Sequence, residues 1–304
     1  MADTPLFDRA CVIRNRLRSR VPSFLVTEVA ARLSDRLLDI QRTFPAALDF
    51  SGRPGLSEAL SASGAREARG IETLFSVADG PVVAVDGVPV IADSEMLPVG
   101  GGKIDLAMSV MALHWANDLP GSLVQIRRAL RPDGLLLAAF LGGDTLTELR
   151  DCLSAAEIEI SGGISPRIIP FTDLRDAGGL LQRAGFALPV ADQDRINVTY
   201  ASPTALMHDL RAMGETNALS QRRKHFTSRT VFARAAELYA QRYTEEGRIC
   251  ATFDVIYLTG WAPHESQQKP LRPGTATARL ANALDTEEQT TGEKASPKPS
   301  KKIP

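Results

Sequence analysis

Apolar residues follow two different rhythms along this chain. Near the N-terminus they recur at spacings of three and four residues, which predicts the apolar face of an amphipathic helix. The positions on this face are Val26, Val29, Ala30, Leu33, Leu37 and Ile40. From about residue 44 onward the rhythm changes to short continuous apolar runs, which predict β-strands.

The apolar runs alternate with helical stretches. The runs read "AALDF", "IETLFSVA", "VPVIAD", "KIDLAMSVMAL" and "GLLLAAFLGG", and helical stretches such as "SLVQIRRAL" separate them. This alternation is typical of a parallel, doubly wound α/β sheet rather than a sandwich. Further on, the pattern predicts a helix near "DLRDAGGLLQRAGF", a strand at "ALPVADQDRINVTY", helices near 203–213 and 229–243, and a closing strand at "CATFDVIYLTGW".

The change of rhythm divides the chain into three predicted parts. These are an N-terminal helical segment over residues 1–43, one α/β domain over 44–263, and a tail over 264–304. The tail is rich in proline, lysine, threonine and glutamate. It cannot bury enough apolar surface to offset the entropy lost on ordering, so we predict that it is disordered.

Charge and cysteine usage argue against several classes of function. Lysine plus arginine number 35 against 36 aspartate plus glutamate, which gives no support for nucleic-acid binding. Cys11, Cys152 and Cys250 are widely separated, so we predict neither a disulfide framework nor a cysteine zinc site. There is no apolar run of about 18 residues and no apolar signal core, so we expect a cytoplasmic protein with at most peripheral membrane contact.

Acidic residues follow three consecutive predicted strands. Asp49, with Gly55 in the same turn, follows the first strand, Asp79 the second and Asp93 the third. Ligands of open α/β sheets bind beyond the carboxyl ends of the strands, which makes these acids candidate ligand contacts. A carboxylate after the second strand can accept both ribose hydroxyls, and one after the third can accept the amino hydrogens of an adenine. Each acid alone is more often an ordinary solvated strand end, but three acids at three consecutive strand ends favour a ligand site.

The fourth strand ends in "SVMALHWANDLPG". Period-two alternation predicts that His114 and Trp115 emerge on opposite faces of the sheet. A histidine there can act as a general base or bind a substrate. The structural alternative is that His114 bonds a loop carbonyl while Trp115 fills a pocket. The four histidines show no i, i+4 pair and no two-histidine-one-carboxylate cluster, so no metal site is predicted.

The order of strands and acids resembles class I S-adenosylmethionine-dependent methyltransferases. Within that superfamily, residues 5–262 are similar to the methyltransferase-fold assembly factors of respiratory complex I and their bacterial relatives. The stretches that carry this resemblance are "IDLAMSVMALHWANDLPG", "FLGGDTLTELRDCLSAAEIEISGGISPRIIPFTDLRDAGGLLQRAGFALPVADQD", "LMHDLRAMGETNAL" and "ATFDVIYLTGWAP".

The resemblance implies a Rossmann-like sheet with an N-terminal helical extension and helical insertions after the fifth strand. It implies S-adenosyl-L-methionine as the cofactor and a protein client, a complex I subunit, as the partner. The mitochondrial member of this family is described as an arginine hydroxylase, so arginine hydroxylation is implied beside methyl transfer. The general fold is shared with the malonyl-carrier methyltransferase of biotin synthesis.

The loop after the first strand departs from the superfamily pattern of acid-x-Gly-x-Gly-x-Gly. In "DFSGRPG" the acid, Asp49, and the last glycine match, but Ser51 and Arg53 stand where glycines are expected. A β-carbon at either position limits the approach of a ligand and disfavours positive φ, and Pro54 removes a backbone donor. Cofactor affinity is therefore in question, unless the loop has shifted by one residue and Gly52 takes the special turn.

By the same resemblance, Asp79 would hold the ribose and Asp93 would face the adenine, with Ser94 or Met96 nearby. The cofactor-binding residues predicted from the sequence are Asp49, Ser51, Gly52, Gly55, Asp79, Asp93 and Ser94.

Acids and arginines are dense after the fifth strand. A guanidinium substrate needs facing carboxylates, so Asp144, Glu148 and Glu157 are candidate contacts to a client arginine. The alternative is an intramolecular lattice in which Glu148 and Glu157 pair with Arg150 and Arg167. The candidate catalytic residues are His114, Asp144 and Glu148.

Two functions follow from these observations. The first is an enzyme that modifies a protein side chain, arginine by resemblance, during complex I assembly. The second is a non-catalytic assembly chaperone built on a degenerate methyltransferase fold. The altered glycine loop favours the chaperone, whereas the acids Asp79 and Asp93 and the "LHWAND" stretch favour the enzyme.

Overall fold

The computed structural model describes residues 5–19, 23–80, 87–93, 95–268, 282, 285 and 286. Met1–Glu265 form one compact unit and Ser266–Pro304 form a second. The predicted disorder of the tail concerns residues that lie almost entirely outside the described ranges. The disorder of the tail therefore stays a prediction. The boundary between the helical segment and the α/β domain also stays a prediction.

Within the described residues, eight strands form one sheet in the order β3-β2-β1-β4-β5-β8-β6, with β7 paired to β8. The strands are β1 (Ala46–Asp49), β2 (Thr73–Ala78), β3 (Val88–Ile91), β4 (Ile104–Val110), β5 (Leu130–Leu141), β6 (Ala187–Tyr200), β7 (Thr244–Glu245) and β8 (Arg248–Trp261). The predicted doubly wound, Rossmann-like α/β fold is confirmed.

The strands run parallel from β1 to β5, as the alternation with helices predicts. β8 is antiparallel to both of its long neighbours, β5 and β6, which the sequence pattern did not indicate. A tight hairpin joins β7 to β8 through Glu246 and Gly247, both with positive φ. Such a two-residue turn matches the twist of the paired strands, and it sets β8 in the reverse direction.

Helices pack on both faces of the sheet and extend the chain at its N-terminus. They are α1 (Arg9–Arg18), α2 (Phe24–Leu38), α3 (Leu56–Ala62), α4 (Ala65–Ala68), α5 (Leu119–Ala129), α6 (Thr147–Ser161), α7 (Leu174–Ala184), α8 (Pro203–Ala212) and α9 (Arg229–Arg242). Ser23 caps α2 by accepting a hydrogen bond from the Val26 amide. The predicted N-terminal extension and the helical insertions after β5 are both present.

The core lies in two layers, one on each face of the sheet. Leu135 and Leu137 of β5 belong to the layer that contains α2, and the intervening Leu136 belongs to the layer that contains α5 and α7. Successive strand residues point to opposite faces, so a strand covered on both sides must be apolar throughout. This explains why β5 reads as the continuous run "GLLLAAFL".

Two adjacent glycines after β5 give a matched test of this packing. A β-carbon on Gly142 would lie 2.6 Å from Cγ1 of the buried Ile256, whereas one on Gly143 would meet nothing within 4 Å. Overpacking a core of this density costs about 1–3 kcal/mol. We expect Gly142→Ala to lower the free energy of unfolding by that amount and Gly143→Ala to change it by less than about 0.5 kcal/mol, measured by urea denaturation. Equal effects of the two variants would contradict this packing.

Candidate active site at the carboxyl edge of the sheet

The loop after β1 is fastened to the neighbouring strand. Asp49 is buried, and its Oδ1 accepts hydrogen bonds from the amide of Ser51, at 2.8 Å, and from the Ser51 hydroxyl. The Ser51 Oγ in turn accepts a hydrogen bond from the amide of Val110, at the end of β4, at 2.8 Å. Ser51 therefore fixes the loop against β4 instead of leaving the open space that a glycine would provide.

The special turn in this loop is taken by Gly52. Its φ is +66°, and Gly55 has a φ of +125°, both in the region that favours glycine. Gly52 therefore has the conformation that the sequence analysis required of it for a loop shifted by one residue. Arg53 turns its side chain into the protein, where it donates to the Met213 carbonyl at 3.3 Å. Ser51 and Arg53, which stand where the superfamily pattern has glycines, therefore do not have to adopt a positive φ.

Burial changes the ionisation of Asp49. Removal from water raises its pKa to about 6, in opposition to the two hydrogen bonds from Ser51 that lower it. The described residues provide no cation contact to Asp49 within ion-pairing distance, whereas Asp79 and Asp93 are both paired with Arg9.

The acids after β2 and β3 converge on one point. Asp79 Oδ1 lies 2.6 Å and Asp93 Oδ1 2.9 Å from the same guanidinium nitrogen of Arg9, and Glu95 Oε1 lies 3.4 Å from the other terminal nitrogen. Their convergence is what the strand-end argument predicts. The role of Asp79 and Asp93 as cofactor ligands stays a prediction, and Ser94 lies outside the described residues.

Glu215 organises the end of β4. Its carboxylate accepts hydrogen bonds from the Nε2 of His114 at 2.9 Å, the Nε1 of Trp115 at 2.8 Å and the guanidinium of Arg53 at 2.9 Å. The carboxylate side chain is only 5% exposed. Burial opposes its ionisation, but the interactions with His114, Arg53 and Trp115 outweigh burial and lower the pKa to about 2.

The prediction that His114 and Trp115 emerge on opposite faces is wrong. Met111 adopts a left-handed conformation with φ +54°, which ends the period-two alternation, and residues 113–115 form a short 3₁₀ turn. Both side chains consequently reach the same acid, Glu215. Burial lowers the pKa of His114, and its Nδ1 is buried without a hydrogen-bond partner in the part of the chain that the structure describes.

The three acids proposed to contact a client arginine do not converge on one open site. Asp144 is exposed and pairs with Arg195 at 2.7 Å. Glu148 is buried and accepts hydrogen bonds from the amide and hydroxyl of Thr252.

Glu157 is buried and pairs with Arg167 at 2.7 Å. The intramolecular ion pair that the sequence analysis considered is therefore present between Glu157 and Arg167. It does not exist for Glu148 and Arg150, because Arg150 donates to the Ile169 carbonyl.

An apolar cavity of about 230 Å³ lies beside Glu215. Trp115, Phe171 and Leu210 are among the side chains that line it. No group of three or more potential metal ligands occurs within the described ranges, and no helix there is long and apolar enough to cross a membrane.

The chain is similar over most of its length to proteins of one name. It is 39% identical over 292 residues to the Danio rerio protein named "Arginine-hydroxylase NDUFAF5, mitochondrial", covering 91% of this chain and 89% of that protein. The human protein of the same name is 41% identical over 261 residues, covering 84% and 74%. The chain belongs to the NDUFAF5 family. Its sequence resemblance to this methyltransferase-fold family is thereby confirmed.

Other similarities agree with the fold of the NDUFAF5 family. The family described as "Methyltransferase domain" matches residues 65–138. Malonyl-[acyl-carrier protein] O-methyltransferase of Laribacter hongkongensis is 39% identical over 185 residues, covering 61% of this chain and 60% of that protein. The crystal structure of YcgJ from Bacillus subtilis superposes with a TM-score of 0.50 at 11% identity, covering 77% of this chain and 99% of that one. These similarities support a class I methyltransferase fold and a transferase-like enzyme.

The sequence reasoning missed Glu215 as a site residue. It lies in the stretch "MGETN", about a hundred positions from His114 and Trp115. The available signal was indirect: a buried indole N–H and a buried imidazole each require a polar partner.

We predict that Glu215→Gln destabilises this family member by about 3 kcal/mol at pH 7. The substitution leaves the buried guanidinium of Arg53 without a countercharge. The folded-state pKa of Glu215 is lowered, so its contribution is present above about pH 4.5 and is lost as the pH falls toward 2. Urea denaturation of both proteins at pH 7 and pH 3 measures the difference, which should shrink at the lower pH.

The matched control is Glu237→Gln on α9, whose carboxylate is 62% exposed and pairs with Arg234. We expect little change at either pH for this variant. A destabilisation by Glu215→Gln that is small, or equal at the two pH values, would contradict the assigned ionisation of Glu215.

Proposed function

We propose that this protein is an enzyme that modifies an arginine side chain of a protein client during assembly of respiratory complex I. The observation that carries the proposal is the convergence of Asp79 and Asp93 beside the turn formed by Gly52 and Gly55. Similarity to relatives named arginine-hydroxylase supports arginine as the target. The client is proposed to be a complex I subunit.

The residues at this edge fit S-adenosylmethionine. The absence of a β-carbon on Gly52 leaves room into which the guanidinium of Arg16 extends, and Asp79 and Asp93 would accept the ribose hydroxyls and the adenine amino group once Arg9 and Arg16 are displaced. Asp49 and Ser51 would hold the loop that supports the ligand. When bound, this cofactor supplies an electrophilic methyl group.

His114 is the proposed proton acceptor. Its Nε2 faces Glu215, which fixes the ring, and its Nδ1 carries no hydrogen bond to any described residue. An arginine side chain is a cation that must lose a proton to become a nucleophile, so a base held in a fixed tautomer is useful. Glu215 acts here as a positioning residue.

Among the three acids after β5, Asp144 is the one suited to contact a client. Its side chain is 65% exposed, and that of its partner Arg195 is 52% exposed. A client arginine could therefore replace Arg195 on Asp144 without leaving a buried charge unpaired. Glu148 is proposed to keep its structural contact with Thr252. The prediction that Glu148 is catalytic has no further support from its position.

The compartment forms part of the proposal. The sequence predicts a cytoplasmic protein, whereas the relatives carry the word "mitochondrial" in their names. No nucleic-acid partner is proposed.

One observation favours the second function, a non-catalytic assembly chaperone. The predicted cofactor acids are already bound by arginines of the chain itself, Arg9 and Arg16. Contact between these groups is compatible with a fold that no longer uses its cofactor. Direct binding measurements separate the two functions.

We predict measurable binding of S-adenosylhomocysteine, used as the stable product analogue, in calorimetric titrations. Asp79→Ala should weaken this binding at least about tenfold, because hydrogen bonds to a carboxylate contribute about 1.5–3 kcal/mol. Glu237→Ala on α9 serves as the control with unchanged affinity. Absence of binding to the wild-type protein and to every variant would favour the chaperone.

The client is tested by mass spectrometry of complex I subunits from the parent strain and from a strain lacking this gene. The enzyme predicts an arginine that is heavier in the parent by one methylene group or one oxygen atom. Re-expression of the wild-type gene should restore the modification, and His114→Ala should not. Identical subunit masses in the two strains would contradict an enzymatic role.

A further inference from the structure

Helix α1 lies across the predicted cofactor acids. The guanidinium of Arg9 contacts Asp79 at 2.6 Å, Asp93 at 2.9 Å and Glu95 at 3.4 Å. One cation from the N-terminal helix is thus surrounded by three carboxylates that follow β2 and β3. The side chain of Arg9 remains 24% exposed, so it forms the outer contact of α1 with these acids.

A second arginine of α1 reaches deeper. Arg16 Nη1 lies 3.4 Å from Asp79 Oδ2, and Nη2 donates to the Ala112 carbonyl at 3.2 Å. A β-carbon on Gly52 would lie 3.3 Å from Arg16 Nη1, so this guanidinium sits directly over the turn after β1. Arg16 therefore occupies the space where the turn would support a ligand.

The contacts of Arg16 are incomplete. Its side chain is 7% exposed, and its Nε is buried with no hydrogen-bond partner in the described part of the chain. Burial lowers its pKa to about 10, so the guanidinium stays charged at neutral pH but is less stable there than in water. Arg16 is thus a buried guanidinium whose hydrogen-bonding capacity is not fully used within the described residues.

Helix α1 packs closely against two glycines. A β-carbon on Gly80, just after β2, would lie 3.4 Å from the Leu17 side chain. One on Gly214, just after α8, would lie 3.1 Å from the Asn15 carbonyl oxygen. The helix therefore packs against both of these segments. This packing places Arg9 and Arg16 within contact distance of the acids.

We infer that α1 is a tethered guanidinium ligand of the cofactor acids, and that its docked position and a bound nucleoside exclude each other. Asp79 Oδ1 contacts Arg9 and Oδ2 contacts Arg16, and Arg16 also lies over Gly52, so a ribose hydroxyl pair would have to compete with both guanidinium groups for this carboxylate and for the space above the turn. Entry of a nucleoside must release both arginines from Asp79. This inference rests on the proposed cofactor cleft and assigns it a form of self-inhibition.

Competition with α1 lowers the apparent affinity of the cleft. When a binding-competent state is only a fraction of the population, the dissociation constant rises by the inverse of that fraction. Weakening the contacts of α1 should therefore strengthen nucleoside binding. A cofactor site that includes these arginines as ligands would show the opposite response.

The test is a calorimetric titration of the full chain with S-adenosylhomocysteine. We expect Arg9→Ala to bind at least about tenfold more tightly than the wild type. Arg18→Ala, which removes an exposed arginine from the end of the same helix, should leave the affinity unchanged. In wild-type protein, ligand should increase amide hydrogen exchange in residues 9–18, a readout that requires no activity.

Weaker or equal binding by Arg9→Ala, or slower exchange in α1 on adding ligand, would overturn the inference. Equal binding by the wild type and Arg9→Ala would contradict only the competition between α1 and the nucleoside, and it would leave the proposed function intact. Absence of binding to both proteins overturns the competition together with the cofactor part of the proposed function. Circular dichroism of each variant establishes that it is folded.

Discussion

Buried arginine–carboxylate contacts hold the carboxyl edge of this sheet together. Asp79 binds Arg9 and Arg16, and Glu215 binds Arg53, with side-chain exposures of 5% for both acids. Removing such charges from water is costly, and the cost is recovered only when each has a close partner of opposite sign. These ion pairs therefore favour the arrangement in which the segments that carry them lie together.

The segments joined in this way come from distant parts of the chain. Arg16 brings α1 over the turn after β1, Arg53 belongs to that turn, and Glu215 follows α8. Glu215 also holds His114 and Trp115 after β4. One set of charges thus positions the loop after β1, the candidate base and the helix that covers the predicted cofactor acids.

Much of the fold could be predicted because burial on both sides of a parallel sheet leaves a strong sequence signal. The apolar run of β5 and the helical spacing of Val29, Leu33 and Leu37 each reflect burial in one local element. The direction of β8 depends on a two-residue hairpin and on pairing with strands far away in sequence. A local pattern does not contain that information.

The candidate site was predictable only in part, for a similar reason. The convergence of Asp79 and Asp93 could be predicted because strand ends share one edge of the sheet, whereas their role as cofactor ligands stays a prediction. Gly52 could be identified as the special turn only once its φ was known. The alternation of a strand wrongly separates His114 from Trp115, because the left-handed Met111 interrupts the strand. Glu215 could not be identified from a local pattern, because His114 and Trp115 lie about a hundred residues away.

Charge pairing between Arg16 and Asp79 holds α1 against the acid that follows β2. A double-mutant cycle in urea denaturation, with Arg16→Met, Asp79→Asn and the combined variant, measures this pairing directly. Residues in direct contact within one ion-pair network couple by about 0.5–3 kcal/mol. We predict a favourable coupling free energy of at least about 1 kcal/mol between Arg16 and Asp79. Additive effects of the two substitutions, within about 0.3 kcal/mol, would contradict the claim.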